Sequence, residues 1–383
     1  MGVCQRMYPQ DYRISTLNEY LQRLEHYVNC DSPSGCKEEM DRMSAGLIKE
    51  FEAIGCSVTA HDKPNGKLLE CRLGSGSRQI LMLGHMDTVF PLGTVAERPF
   101  TRKGDKLYGP GVLDMKSGVL MILEIMRHYS GQLPEDVCLC GLLNCDEEIG
   151  SADSKELIMS EGRKSIACLC MEPSKPNFCT VARKGLVTFN VEVSGVAAHS
   201  GVNYHLGRSA IQGICNIINR LYTLRDDELG VSVNIGGIQG GTGKGNIVAD
   251  SASLIGEVRY YQPELAEGIL EKLNAYCGET GVEGTESRFT IQAHRPPMQQ
   301  SEASKELYGL ARKAAERNGL TLEARTHGGG SDGSYVSYVG TPVVDGMGAE
   351  GEFSHTTDEY VKVDTLIARI KTCIDLIASI ISK

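Results

Sequence analysis

Hydrophobic and polar positions follow two different patterns along the chain. In the N-terminal half, apolar positions three and four residues apart predict helices, and short apolar runs bounded by glycine predict buried strands. The predicted helices cover residues 15–29, 37–54, 119–129 and 152–160, and the predicted strands cover residues 57–60, 67–73, 79–84, 137–144 and 166–171. Residues 89–109, rich in Gly, Pro and Arg, are predicted to form a loop. Strands that alternate with helices indicate an α/β domain.

The second pattern begins at residue 185. Residues 185–194 alternate apolar and polar positions, which is typical of an antiparallel strand with one exposed face. The segments that follow predict the order β-α-β-β-α-β of the split βαβ sandwich. The first pattern then returns, with helices over residues 302–318 and 363–382. We therefore predict two domains. Residues 1–182 and 296–383 form an α/β domain with a central mixed sheet flanked by helices, and residues 183–295 form an inserted ferredoxin-like α+β domain.

Composition and charge narrow the class of protein. A chain of 383 residues favours two domains. The formal net charge of -10 argues against nucleic acid or an anionic membrane as partner. The N-terminus has no apolar core of a signal peptide, and no apolar run reaches about 18 residues, so we expect a cytoplasmic protein. None of the 14 cysteines forms Cys-x-x-Cys, and several lie in apolar strand-like runs, so we expect reduced thiols and no disulfide framework.

Histidines and carboxylates recur where predicted strands end. The apolar run that begins at Leu81 ends in His85 and Asp87, whose side chains face the same way because strand side chains alternate. Other candidates end strands or open the following loops: Asp114, Glu147, Glu148, Glu172 and His355. Ligand sites in open α/β sheets lie at the carboxyl ends of strands. One metal ion cannot use all these groups without crowding like charges, whereas two ions that share a bridging carboxylate can.

Each of these features alone has a simpler interpretation. His85 and Asp87 by themselves are more typical of a hydrogen-bonded pair in a loop, and Glu147 with Glu148 of a solvated acidic turn. As a set, they indicate a metal centre. Mixed histidine and carboxylate ligands suit Zn²⁺, and also Mn²⁺ or Co²⁺.

Six sequence blocks in order resemble a known family. They are G-H-M-D-T-V, G-P-G-V-L-D-M-K-S-G, D-E-E-I-G-S, M-E-P-S, S-G-V-A-A-H-S-G and S-H-T-T-D-E-Y, within residues 81–360. Together they resemble the co-catalytic zinc aminopeptidase/carboxypeptidase family, which includes glutamate carboxypeptidase (glucarpidase), aminoacylase, acetylornithine deacetylase and succinyl-diaminopimelate desuccinylase. The run R-T-H-G-G-G-S-D-G-S-Y resembles the glutamate carboxypeptidase branch most. The resemblance implies a zinc-exopeptidase-like catalytic domain with an inserted lid and dimerisation domain.

The resemblance also implies roles for the candidate residues. His85 and Glu172 would serve one of two zinc ions, Glu148 and His355 the other, and Asp114 would bridge them. Asp87 would orient His85, and Glu147 would act first as general base and then as general acid. The peptide bond between Asp114 and Met115 is cis in this family.

The inserted domain contributes further residues by the same resemblance. His199 would stabilise the oxyanion, usually in the site of a partner subunit, although the sequence leaves open whether it acts in its own chain. Arg259 would bind a free carboxylate of the substrate, as a guanidinium fork can. Asn246 would contact the same region, and the glycine run around Gly329 would let backbone approach the substrate. The resemblance also implies a homodimer that forms through residues 183–295.

The sequence thus predicts a two-metal hydrolase of amide bonds. We expect it to release a C-terminal amino acid, with glutamate one candidate, from a small peptide or N-acyl amino acid. An N-acyl amino acid deacylase or dipeptidase without preference for glutamate is the alternative. A non-catalytic binding protein on the same fold is less favoured, because the ligand set and Glu147 are all present.

Overall fold

The structure is a computed structural model that describes Pro9 and residues 11–383. Most of the N-terminal stretch on which the expectation about a signal peptide rests, residues 1–8 and 10, lies outside the described residues. Across the part that is described, no helix has both the length and the hydrophobicity needed to cross a bilayer.

The described residues form helices and strands of very different lengths. The helices are α1 (Leu17–Val28), α2 (Lys37–Ala53), α3 (Thr94–Glu97), α4 (Ser117–Tyr129), α5 (Lys155–Lys164), α6 (Ala210–Tyr222), α7 (Leu265–Gly278), α8 (Glu302–Arg317), α9 (Gly333–Tyr338) and α10 (Val363–Ile381). The strands are β1 (Ser57–Lys63), β2 (Gly66–Leu73), β3 (Arg78–His85), β4 (Thr101–Lys103), β5 (Lys106–Tyr108), β6 (Val137–Asn144), β7 (Ser165–Cys170), β8 (Phe178–Arg183), β9 (Gly185–Ser194), β10 (Ala198–His199), β11 (Ser232–Gly240), β12 (Ile247–Val248), β13 (Ser251–Tyr260), β14 (Glu286–Arg295), β15 (Glu323–His327), β16 (Val343–Val344), β17 (Gly351–Glu352) and β18 (Tyr360–Lys362).

The chain divides into two compact units. The first unit comprises the residues up to Ala182, together with Gln300–His327 and Ser331–Lys383. The second unit comprises Arg183–Gln299 and Gly328–Gly330. Each unit has its own hydrophobic core.

A mixed six-stranded sheet in the order β1-β2-β6-β3-β7-β16 forms the centre of the first unit. Strands β6, β3, β7 and β16 run parallel, whereas β2 is antiparallel to both of its neighbours, β1 and β6. Every residue of β6 and nearly every residue of α4 is buried, so their sequences read as continuous apolar runs. Helix α4 packs on β3 and β6, and α5 packs on β3 and β7. Because β3, β6 and β7 are parallel, their carboxyl ends meet at one edge.

The second unit is an antiparallel sheet covered by two helices. Its strand order is β11-β13-β9-β14, and α6 and α7 bury one face of it. Along the chain, the main elements follow as β9, α6, β11, β13, α7 and β14, the β-α-β-β-α-β order expected of a split βαβ sandwich. The predicted fold class, mixed α/β with a smaller α+β part, is confirmed.

The prediction of a loop over residues 89–109 was wrong in part. It contains α3, β4 and β5. Strands β4 and β5 belong to a second sheet of order β17-β18-β5-β4, in which Tyr108 pairs with Tyr360. Strands of three residues stabilised by pairing with a segment far along the chain leave almost no local hydrophobic pattern.

Candidate metal centre

The ends of three parallel strands place the first set of candidate side chains at one edge of the central sheet. His85 ends β3 and pairs in register with Asn144, the last residue of β6. Glu147 and Glu148 follow in a short 3-10 turn, Glu147–Ile149. Glu172 lies two residues beyond the end of β7. The edge therefore carries one imidazole and three carboxylates.

Asp114 lies between two histidines. One carboxylate oxygen, Oδ1, is 3.2 Å from Nε2 of His85, and the other, Oδ2, is 3.2 Å from Nε2 of His355. Nε2 of His355 is also 3.1 Å from Oε2 of Glu148, and Nε2 of His85 is 3.9 Å from Oε1 of Glu172. The structure thus arranges two sets of a histidine and a glutamate on the two sides of one shared aspartate.

Asp114 belongs to an irregular turn, Val112–Lys116, that precedes α4. Within this turn, the peptide bond between Asp114 and Met115 is cis, as the resemblance implies. His355 lies in the loop between β17 and β18 and has a left-handed backbone conformation, with φ of 67°. Its side chain is 51% exposed, whereas that of His85 is 2% exposed.

The donor set fits divalent metal ions. Ligand atoms of His85, Asp114 and Glu148 lie within 4.8 Å of one another, and so do those of His85, Glu147 and Glu172. Oε1 of Glu148 is buried and has no hydrogen-bond partner among the described residues. A buried carboxylate oxygen without a hydrogen-bond partner, in a residue that belongs to a cluster of further ligands, is suited to a cation. Imidazole and carboxylate together are ligands that Zn²⁺, Mn²⁺ and Co²⁺ accept.

The electrostatics of the cluster also favour added positive charge. Burial raises the pKa of Glu148 to about 7, and burial with the nearby charge of Asp114 raises the pKa of Glu172 well above its ordinary value. Hydrogen bonds with Asp114 and Glu148 raise the pKa of His355 to about 11. Burial opposes ionisation of Asp114, but hydrogen bonds from His355 and His85 hold its pKa below the usual range. A cation bound to these groups would therefore displace protons from them.

Asp87 is completely buried and holds two parts of the site together. Nδ1 of His85 lies 2.9 Å from the backbone oxygen of Asp87 and 3.4 Å from its carboxylate. The carboxylate accepts the backbone N–H groups of Glu147 and Glu148, each at 3.2 Å, and the hydroxyl of Ser34 at 2.7 Å. The sequence indicated a contact with His85, but it gave no sign that Asp87 also fixes the turn that presents the two glutamates.

The other predicted residues lie in the second unit. His199 ends β10, which pairs with β12, and it is exposed. The backbone oxygen of Asn246 accepts the N–H of Ser200 at 3.0 Å, so Asn246 and His199 are close in space.

Arg259, on β13, is held by two neighbours. Its Nε and Nη2 donate to the two carboxylate oxygens of Glu257 at 2.8 and 3.0 Å, and its Nη1 donates to the backbone oxygen of Gly328 at 2.6 Å. The glycine run 328–330, which includes Gly329, therefore lies beside Arg259. The ion pair with Glu257 was not predicted. The sequence does carry a sign of it, because residues of opposite charge two positions apart on a strand have side chains on the same face.

Comparison with known proteins shows that the chain is similar to a family of peptidases and related amide hydrolases. The sequence model of peptidase family M20/M25/M40 matches residues 81–383. Carboxypeptidase G2 of Pseudomonas sp. (strain RS-16) is 28% identical over 364 residues, which cover 91% of this chain and 86% of that protein. A succinyl-diaminopimelate desuccinylase of Stenotrophomonas maltophilia (strain R551-3) is 28% identical over 318 residues, covering 77% and 82% of the two chains.

A solved structure with the same fold is that of the Bacillus subtilis protein YXEP, described as a dinuclear metal-binding peptidase of the M20 family. It superposes with a TM-score of 0.68 at 16% identity, and the match covers 95% of this chain and 98% of that one.

Proposed function

The chain belongs to peptidase family M20/M25/M40, and from that premise we propose that it is a two-metal hydrolase that cleaves an amide bond next to a free carboxylate. The family resemblance predicted from the six sequence blocks is confirmed. One observation carries the proposal: Asp114 is shared between two histidines, each accompanied by its own glutamate.

We propose two Zn²⁺ ions per chain, with Co²⁺ or Mn²⁺ as substitutes. His85 and Glu172 would hold one ion, Glu148 and His355 the other, and Asp114 both. The YXEP structure, described as dinuclear, supports this number. When bound, two divalent ions would polarise the scissile carbonyl and make water a stronger acid.

Glu147 is the proposed general base and acid. Its carboxylate groups with His85 and Glu172, and its backbone is held by Asp87. It would accept the proton of the attacking water and pass that proton to the leaving nitrogen as the C–N bond breaks. His199 would donate a hydrogen bond to the oxygen of the tetrahedral intermediate.

Arg259 is the proposed receptor for the free carboxylate of the substrate, with the glycine run around Gly329 beside it, and Asn246 is a further proposed contact of the substrate. A guanidinium has five N–H groups, and Glu257 with Gly328 engage three of them. Two remain for a substrate carboxylate. The released residue would be a C-terminal amino acid, and glutamate is the first candidate because of the motif resemblance to the glutamate carboxypeptidase branch.

A homodimer through the second unit is also part of the proposal. Of the seventeen exposed large hydrophobic side chains in the described chain, eleven lie in this unit, which is less than a third of the protein. Examples are Val202, Tyr204, Leu206 and Ile255, all more than half exposed. A concentration of exposed apolar surface is typical of an interface.

The main alternative is a deacylase or dipeptidase without preference for glutamate. The similarity to a succinyl-diaminopimelate desuccinylase favours an N-acyl substrate, since the name of that protein describes removal of an acyl group. A panel of substrates separates these functions. It consists of one N-acyl group joined to Glu, Gln or Leu, the corresponding dipeptides, and each compound with its α-carboxylate converted to an amide.

We expect release of free amino acid from substrates with a free α-carboxylate and little from the amides. Faster release of Glu than of Gln, which has nearly the same shape without the charge, would support glutamate preference. Equal rates would favour the alternative. Purified enzyme should hold about two divalent ions, and a chelator should abolish release. Full activity of metal-free protein, or equal cleavage of the amides, would contradict the proposal.

A further inference from the structure

A buried glutamate next to the metal centre has no part in the chemistry proposed above. Glu359 is 1% exposed and directly precedes β18. Its Oε1 accepts two backbone N–H groups, that of Leu113 at 2.7 Å and that of Asp114 at 3.0 Å. Its Oε2 is buried without a hydrogen-bond partner among the described residues. A carboxylate is costly to bury, so its contacts with this turn call for an explanation.

The turn that carries Asp114 needs acceptors from elsewhere in the chain. Asp114 and Met115 have non-helical backbone angles, so α4 does not extend back through them. Leu113 and Asp114 are both buried, and a buried N–H group without an acceptor is destabilising. Glu359 supplies the acceptor for both groups with a single oxygen, and thereby fixes the backbone that aims the Asp114 carboxylate.

Glu359 also terminates the loop that carries His355. Residues 353–359 connect β17 to β18, and His355 lies near the middle of this loop. The loop is held internally by the backbone bond from Thr356 to Phe353, but the His355 side chain is half exposed and its backbone is left-handed. The bonds from Glu359 to Leu113 and Asp114 therefore join this loop to the Asp114 turn, across about 245 residues of sequence.

We propose that Glu359 is a positioning residue for one ion of the pair: it sets the separation between Asp114 and His355, two of the proposed ligands of that ion. The proposal rests on the two-metal site proposed above. The ion assigned to His85 and Glu172 depends less on Glu359, because those residues are placed by the ends of β3 and β7.

Two substitutions separate the reach of the acceptor from its charge. Glu359→Gln keeps an oxygen at the same position and loses the charge. Glu359→Asp keeps the charge, but its chain is one methylene shorter, so it cannot reach both N–H groups. We expect the Gln variant to bind two ions as the wild type does. We expect the Asp variant to keep one ion tightly and to bind the other about 10–100-fold more weakly, the range typical of changes to groups that orient ligands.

Zinc binding is the measurement. Metal-free protein is titrated with Zn²⁺ in competition with a chromogenic chelator, and Co²⁺-loaded protein gives a visible spectrum that reports the geometry of the remaining site. Glu352→Asp is the matched control, since Glu352 ends β17 at the other side of the same loop and accepts a bond from the Tyr360 hydroxyl at 3.0 Å. This control should bind two ions with wild-type affinity.

Either of two results would overturn the proposal: tight binding of both ions by Glu359→Asp, or loss of an ion in Glu359→Gln. If Glu359→Asp does not fold, the Gln variant still tests the proposal, because loss of an ion in that variant would overturn it. A wild-type protein that binds fewer than two ions would instead contradict the two-metal site itself, so the two failures are distinguishable.

Discussion

Glu147 and Glu148 are adjacent in sequence but differ in surroundings. Oε2 of Glu148 is 3.1 Å from His355, whereas Glu147 groups with His85 and Glu172. The backbone N–H groups of both are held by Asp87. Because the turn is fixed at both positions, a side-chain change at one residue should leave the other in place.

Replacing Glu147 with glutamine should separate catalysis from metal binding. Glu147→Gln removes the proton acceptor, so we expect turnover to fall by about 10²–10⁴-fold with metal content unchanged. The measurements are steady-state kinetics and elemental analysis. Glu148→Gln is the matched comparison, and it should lose metal as well as activity. Near-wild-type turnover by metal-loaded Glu147→Gln would refute the role of Glu147.

The pKa values of the cluster predict opposite pH dependences for stability and metal binding. In the metal-free protein, the pKa of Glu148 is raised from 4.5 to about 7 and that of His355 from 6.5 to about 11. Folded protein then binds more protons than unfolded protein across these windows, so its stability should fall as pH rises, first through the Glu148 window and then through that of His355. Zinc needs the same groups deprotonated, so its affinity should rise.

Thermal unfolding of metal-free protein and zinc titrations, both from about pH 5 to about pH 8, test this pair of slopes. Titration of Asp114 does not affect this range, because its pKa is lowered and its contribution to stability changes only in strong acid. A metal-free protein that becomes more stable over this range would contradict the prediction.

Single residues of the site were predictable to different degrees. His85, Glu148 and Glu172 follow apolar strands, so the hydrophobic pattern together with the rule for strand ends located them. The acceptor role of Asp87 and the whole contribution of Glu359 were not predictable, because both depend on backbone N–H groups of segments distant in sequence. Nothing in the residue types of D-E-Y distinguishes a buried Glu359 from a surface acid.

At the level of elements, the first turn of α4 is packed against the strand end that carries Glu172. A Cβ atom on Gly118 would lie 2.2 Å from the backbone oxygen of Met171. Gly118→Ala should therefore displace α4 or the Glu172 segment and destabilise the protein by about 1–3 kcal/mol, as overpacking does.

Gly309→Ala is the control for the effect of alanine in a helix. Gly309 lies in α8, and a Cβ atom there would meet nothing within 4 Å. This change should stabilise the protein by about 0.5–1 kcal/mol. Chemical denaturation of the two variants measures both effects, and a Gly118→Ala protein as stable as the wild type would show that the close contact relaxes without cost.

Long elements with a clear period were predictable, and short ones were not. The alternation of residues 185–194 and the buried runs of β3 and β6 each carry their own signal. The sheet of β4, β5, β17 and β18 supplies the loop with His355, yet its strands have two or three residues each. Their pairing is decided by contacts that form only when the chain is folded.

For the whole molecule, the proposed dimer makes the role of His199 testable by mixing. His199→Ala and Glu147→Gln proteins should each be nearly inactive. If His199 acts in the partner's site, a mixed dimer contains one site with both groups intact, and activity should recover in proportion to the mixed dimers formed. If His199 acts within its own chain, mixing restores nothing.

Subunit exchange must be measured separately, by co-purification of differently tagged variants. Exchange without recovered activity would exclude action across subunits, and so would a monomer in light scattering. Two unmixed samples carried through the same incubation provide the baseline.

The unequal exposure of His355 and His85 should give the two proposed metal positions different rates of metal loss. A chelator in solution meets His355, which is half exposed on a loop, long before it meets His85 at a buried strand end. Metal should therefore leave in a fast phase and a slow phase, the second limited by opening of the strand ends. Stopping the reaction between the phases would leave one position filled and the other ready for a different ion, which would give an enzyme with two unlike metals.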